Sequence, residues 1–220
     1  MTRLDLDSTL AARSPPLVLT VCVSLALGAA YSADLPLLRW KRRPLLAAGC
    51  ILAVRAIIVQ FGFFAHAVGA LSRSAAAQSV STSAASGLAA TPAALSFAAL
   101  FFAALSVVIA LLKDVPDVRG DALCGIRTLP VRVGQTQVYW GCVTLLSAAL
   151  SAAAAYTLAG LGGAAGAAGA AAQLALAASL VAVARGGRAD QASSVYGVYM
   201  HVWRIFYVEY VLMAMTLPFG

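Results

Sequence analysis

Apolar residues in this chain do not recur with the period of an amphipathic helix. They fill whole segments, separated by short polar breaks. A bilayer core is about 30 Å thick, so a spanning helix needs about 20 mostly apolar residues. Six stretches meet that length: Pro15 to Tyr31, Leu45 to Leu71, Pro92 to Leu112, Val138 to Gly160, Ala164 to Ala184, and Val195 to Leu217. The pattern predicts an all-α, multi-pass transmembrane helix bundle. The second stretch encloses Arg55, Gln60 and His66, and the sixth encloses His201, Arg204 and Glu209. The fifth is nearly all alanine and glycine. Small residues of that kind let helices approach closely in lipid, although drift in an alanine-rich genome leaves the same composition.

Composition agrees with the pattern. The chain is 62% hydrophobic and 10% charged, whereas a soluble domain carries about a quarter charged residues. Its formal charge of +7 lies in the breaks and not along one wettable face, which argues for membrane topology over nucleic-acid binding. With six spans, Arg39, Lys41, Arg42, Arg43, Lys113, Arg119, Arg127, Arg132, Arg185 and Arg188 share one side, ten residues against three (Arg3, Arg13, Arg73) on the other. Positive residues favour the untranslocated side. Residues 1–14 form a polar N-terminal segment with neither a secretory pattern nor a convincing transit-peptide pattern, and 15–220 form one membrane domain. Segment 72–92, rich in Ser, Ala, Thr and Gly, reads as a flexible connector. Cys22, Cys50, Cys124 and Cys142 are widely spaced and read as small buried hydrophobes.

The chemistry concentrates after the third stretch. In Lys113-Asp114-Val115-Pro116-Asp117-Val118-Arg119-Gly120-Asp121, three of the chain's eight acidic residues fall between positions 114 and 121. On one helix they would share about a 60° arc, but Pro116 predicts a helix end that kinks at the membrane surface. Clustered carboxylates repel unless a hard cation sits among them. Mg²⁺ suits this arrangement, because it takes a few carboxylates and fills its other positions with water and phosphate oxygens. Lys113, Arg119, Arg127 and Arg132 can bind an anion. Together these residues suggest a diphosphate site. The competing reading is a solvated loop whose charges pair with one another, and a bare Ca²⁺ site is weaker because the EF-hand ligand pattern is missing.

The sequence KDVPDVRGD, with Gly125-Ile126-Arg127-Thr128-Leu129-Pro130-Val131 and Gly134 after it, resembles the second aspartate motif of the UbiA-type prenyltransferases. Tyr31-Ser32-Ala33-Asp34-Leu35-Pro36-Leu37-Leu38-Arg39-Trp40-Lys41-Arg42 and the run from Ile51 to Gln60 resemble the homogentisate branch of that family, as does the ending from Tyr199 to Tyr210. The LPLLRWKR wording and Gln60 favour its phytyl-transferring members over the solanesyl-transferring ones. The resemblance implies a nine-helix fold with two aspartate motifs, of which the six stretches match the last six helices. The first motif, NxxxDxxxD, is not found, so the chain is expected to correspond to the C-terminal two-thirds of such an enzyme.

The implied reaction transfers a phytyl group from phytyl diphosphate to homogentisate in a plastid or cyanobacterial membrane. The resemblance implies Mg²⁺ on Asp114, Asp117 and Asp121, with Lys113, Arg119, Arg127, Lys41, Arg42 and Tyr31 on the diphosphate or substrate, although Tyr31, at a helix end, suits an interfacial anchor equally well. An arginine inside an apolar run must face a partner or a wet cavity. Arg55 is therefore expected to face the cavity with Gln60 further along, the alternative being a structural pair with a carboxylate such as Glu209. Phe101, Phe102, Tyr139, Trp140, Phe206 and Tyr207 are candidates to offer rings to a carbocation, but ordinary packing is the favoured role of each. His66 and His201 read as structural. Outside this class stand a non-catalytic membrane protein that binds isoprenoid diphosphates, supported by the missing first motif, and a transporter, which leaves the acidic cluster unexplained.

Overall fold

The computed structural model describes residues 14–40, 44–77 and 92–216, and no strand occurs among them. Helices stand at all six predicted stretches. They are α1 (Pro15–Ser32), α2 (Pro44–Leu52) running through a π-helical segment (Ala53–Ile58) into α3 (Val59–Ala77), α4 (Pro92–Asp114), α7 (Gln135–Leu161), α8 (Gly163–Arg185) and α9 (Ala192–Thr216). Two short helices, α5 (Val118–Leu123) and α6 (Leu129–Val133), lie between α4 and α7. Five of the segments are long and apolar enough to cross a membrane: Pro15–Ser32, Gly49–Ala67, Ala93–Asp114, Gln135–Leu161 and Gly163–Arg185. At 25 residues α9 matches them in length, but it carries Arg204 and Glu209 and is less apolar. Residues 1–13, Lys41, Arg42, Arg43 and most of the 72–92 connector lie outside the described residues.

The chain divides into two compact units, Met1–Leu100 with Phe219–Gly220, and Phe101–Pro218. In the first, α1 lies along α3 and the π-helical segment. The two helices meet where Gly62 faces Thr20, so closely that a Cβ at position 62 would overlap the Thr20 side chain. Thr20 Oγ1 turns inward to donate to the Pro16 carbonyl at 2.7 Å. Ser14 Oγ bonds His66 Nδ1 at one end of this pair, and Cys50 Sγ donates to the Leu27 carbonyl at 3.5 Å nearer the other. His66 is thus engaged by a partner on the neighbouring helix.

The second unit is built on an antiparallel hairpin of α7 and α8. Gly162 (φ 61°) and Gly163 (φ 52°) make its turn, in a left-handed backbone region that glycine enters at little cost. The alanine–glycine composition of α8 does what close packing requires. A Cβ on Gly169 would lie 2.7 Å from Thr157 Cγ2 and 2.9 Å from Thr216 Cγ2, so α7, α8 and α9 converge on one hydrogen atom. Leu105, Leu146, Leu150, Leu180, Val202 and Ile205 fill the interior. His201 Nε2 meets Ser179 Oγ at 3.0 Å, again across two neighbouring helices.

Alanine normally improves a helix over glycine by about 1 kcal/mol. Gly169→Ala is expected to do the reverse, lowering stability by about 1–3 kcal/mol through overpacking, because both threonines are stiff at χ1 and Thr216 Oγ1 is bonded to the Leu212 carbonyl. Adding Thr157→Ser and Thr216→Ser removes the two methyls and is expected to restore most of the loss in thermal unfolding.

Candidate active site

Between Val115 and Gln135 the chain leaves the bundle and returns. Pro116 cannot continue α4, which ends at Asp114, and Asp117 becomes the N-cap of α5. The Asp121 N–H donates to the Asp117 carbonyl at 2.8 Å, which sets the two side chains one turn apart on one face. Gly125 (φ 70°) closes α5. Its N–H bonds the Ala122 carbonyl at 3.2 Å and that of Ile126 bonds the Asp121 carbonyl at 2.8 Å, the paired bonds of a glycine-closed helix end. This turn brings Thr128 back, and its hydroxyl donates to Asp121 Oδ2 at 3.1 Å. Gln135 Nε2 then donates to the Val115 carbonyl at 2.8 Å, pinning the base of the excursion beneath a fully buried Val115.

The predicted kink at the end of α4 is therefore present, and the excursion displays the predicted charges. Asp117, Lys113, Arg119, Arg127 and Arg132 are exposed, while Asp114 and Asp121 are half-buried. None of the three carboxylates is in a salt bridge with another described residue. The loop is not the self-paired set of charges that was the competing reading. Nor do the three carboxylates converge: no group of three acidic, His or Cys residues able to hold a metal occurs among the described residues. The donor chemistry fits Mg²⁺, which is usually held by one or two carboxylates plus substrate phosphate. A cage of all three is not the arrangement seen.

Two further arginines of this unit, Arg185 and Arg188, gather at the same end. Tyr139, one turn into α7, donates its hydroxyl to the Ala184 carbonyl at 3.0 Å. The start of α7 and the end of α8 are therefore neighbours, and Arg185 and Arg188 join the excursion's side. Arg188 grips Asp190 through two bonds of 3.0 and 2.8 Å, which hold the Asp190 carboxyl below its ordinary value. Six of the ten charges counted on one side are placed there by the fold. A crevice of about 170 Å³ lined by Lys113, Pro116, Tyr196 and Tyr199 opens beside them.

In the first unit, Arg55 sits within the π-helical segment. One extra residue per turn there re-aims the side chains within the segment, and such bulges are frequent at functional sites. Arg55 and Tyr31 both line a groove of about 410 Å³ with Ser24, Gly28, Cys50, Ile51 and Val54, so these two expected residues are brought together. Gln60 is half-buried but is not part of that lining. Leading out of the groove, residues 33–40 form a tight loop. Leu37 (φ 70°) and Arg39 (φ 61°) adopt left-handed backbone there, uncommon for residues with a Cβ, and Arg39 pairs with Asp34.

One expectation needs correction. Cys22 and Cys124 are exposed and only Cys50 and Cys142 are buried, all four as free thiols. Glu209 takes its hydrogen bond from Gln173 and forms no ion pair with a described residue. Phe101, Phe102, Tyr139 and Phe206 are buried and make ring-to-ring contacts inside the bundle, which is the packing role; Trp140 and Tyr207 are exposed. Reading the sequence assigned no role to Thr128, Gln135 or Gln173. For Gln173 a signal existed, as a lone amide within an alanine–glycine run.

Comparison with known proteins settles the lineage. The profile of the UbiA prenyltransferase family matches residues 8–205. The chain belongs to the UbiA prenyltransferase family. It is 40% identical over 198 residues to homogentisate phytyltransferase 1, chloroplastic, of Arabidopsis thaliana, covering 90% of this chain and 47% of that one. To the homogentisate geranylgeranyltransferase of Triticum aestivum it is 41% identical over 201 residues, covering 91% and 46%. To the homogentisate phytyltransferase of Synechocystis it is 32% identical over 202 residues, covering 91% and 60%. The chain spans about half the length of the plant relatives it matches. No solved structure matches it significantly.

Proposed function

We propose that this UbiA-family chain carries the second aspartate site of a plastid-membrane aromatic prenyltransferase that moves a phytyl group from phytyl diphosphate to homogentisate, on the way to tocopherols. The observation that carries the reading is the excursion at 115–134. It presents three carboxylates without ion-pair partners among the described residues, set among basic side chains, in a chain 40% identical to plant homogentisate phytyltransferases.

Heterolysis of the allylic C–O bond leaves a carbocation and sends the electron pair out on the diphosphate. A ring carbon of homogentisate then attacks the cation and gives up its proton, and the side-chain carboxylate departs as CO₂, leaving its bonding pair on the side-chain carbon, which takes up a proton to become a methyl group. Mg²⁺ held by one or two of Asp114, Asp117 and Asp121 would supply charge neutralisation for the leaving group. Lys113, Arg119 and Arg127 would bind its remaining oxygens from the same excursion. In the first unit, Arg55 and Tyr31 would bind an anionic or phenolic group in their groove, with Lys41, Arg42 and Gln60 as further substrate contacts. The apolar surroundings keep water from the cation until the acceptor reacts.

The Triticum aestivum and Hordeum vulgare relatives, at 41% and 40% identity, are named for geranylgeranyl transfer, so geranylgeranyl diphosphate is the competing donor. The test supplies membranes containing the chain with homogentisate and either diphosphate. Product that appears with Mg²⁺, stops with a chelator and returns when Mg²⁺ is restored supports the reading, and the ratio of products assigns the donor. A folded, inserted chain that gives no product with either donor rejects catalysis by this chain alone.

A further inference from the structure

Inside the second unit, α8 and α9 meet through one polar contact that the proposed reaction does not use. Gln173 and Glu209 are both wholly buried, at 0% exposure. Gln173 Nε2 donates to Glu209 Oε2 at 3.2 Å. That bond leaves one oxygen on each group, Gln173 Oε1 and Glu209 Oε1, buried and without a partner. Both atoms are acceptors, so as an amide and a carboxylate the two groups cannot satisfy each other.

No charge among the described residues of this unit relieves the carboxylate. It forms no salt bridge with a described residue. Along α4 and α8 the titratable residues are terminal: Lys113 and Asp114 on one, Arg185 on the other. On α7 the residue nearest this depth is Tyr156, half-buried, and on α9 Arg204, Tyr207 and Tyr210 are exposed while Glu209 points inward. An isolated ionised carboxylate in such surroundings is far costlier than a neutral acid.

We propose that Glu209 carries a proton and forms with Gln173 a closed acid–amide pair that locks α9 to α8. Carboxyl and carboxamide are planar groups of equal span. A proton on Glu209 Oε1 donates to Gln173 Oε1 while Gln173 Nε2 donates to Glu209 Oε2, and both orphaned atoms are satisfied at once. The lock matters because α8 is almost entirely alanine and glycine, which pack closely but specify rotation poorly, whereas an interhelical hydrogen bond is directional. Glu209 adjoins Tyr210 and lies one turn from Phe206. The pair therefore fixes the rotation of α9 that sets Phe206 and Tyr210 against Phe102, at centroid distances of 6.1 and 4.5 Å.

Glu209 is the only glutamate in the chain, so the test needs no substitution. The full chain is synthesised cell-free into liposomes with side-chain ¹³C-glutamate, and isotope-edited infrared spectra are recorded between about pH 6 and 9, where glutamate in water is ionised. The expected result is one label-shifted C=O band of a protonated acid, constant across the range; a label-shifted carboxylate band overturns the proposal. As a second measurement, Glu209→Gln preserves a closed pair as amide with amide and should hold the thermal unfolding half-life within about two-fold. Glu209→Ala strands Gln173 and should shorten it about ten-fold. Equal shortening by both variants overturns the closed pair.

Discussion

Replacing Asp117 by Asn is expected to lower Mg²⁺-dependent prenyl transfer by about 100-fold or more while leaving thermal stability unchanged. The first half follows from charge. Removing one group that stabilises developing transition-state charge typically costs about 10²–10³ in rate, and Asp117 is the most exposed carboxylate of the excursion. The second half follows from its surroundings. Asp117 stands at the N-cap of α5 without a side-chain capping bond, and asparagine caps as well as aspartate does. Asp121→Asn is a less clean probe, because Asp121 also accepts the Thr128 hydroxyl that closes the loop. Parallel rate and melting measurements decide the matter: a full rate in Asp117→Asn removes this carboxylate from the chemistry, and a drop in both makes it structural.

The membrane explains why so much of the fold was legible. Backbone groups in a bilayer core must be satisfied within the segment, so an apolar run of sufficient length is a helix and little else. The predicted starts at Pro15 and Pro92 coincide with those observed, and α8 begins and ends within one residue of expectation. The excursion was legible too, because Pro116 and clustered charge each forbid a continuing apolar helix.

What stayed hidden follows from the same physics. Lipid and protein interior are both apolar, so sequence cannot separate a lipid-facing residue from a buried one. Cys22 sits exposed beside Leu19 and Leu25, at 65% and 68% exposure, yet its composition is that of the buried Cys50. The bond from Gln173 to Glu209 joins residues 36 apart, and no local pattern pairs them. The clasp of Gln135 on Val115 likewise appears only once the chain has turned at Gly125. The π-helical segment has no residue signature at all, because Ala-Val-Arg-Ala-Ile-Ile would serve equally in an α-helix.

That segment leads to the other large effect. Deleting Ile57, which is 56% exposed, is expected to turn Ala53–Ile58 into ordinary α-helix, since a π-segment holds one residue more than the α-helix it interrupts. The flanking helices keep their register once the extra residue is gone, but side chains inside the segment, Arg55 among them, turn by some tens of degrees about the helix axis. Arg55 and Tyr31 now share one groove, and the rotation carries Arg55 away from it. Prenyl transfer should fall about 100-fold, as it should for Arg55→Gln, because misplacing a positioning group costs that much even when the group is retained. Arg55→Lys should recover little, for an ammonium lacks the planar fork that grips an anion at two oxygens. Circular dichroism and membrane insertion of the deletion variant should match the parent, because the helix is repaired and not broken. A deletion variant with the parental rate would show that the π-segment merely accommodates packing, and that Arg55 works as well from another face of its helix.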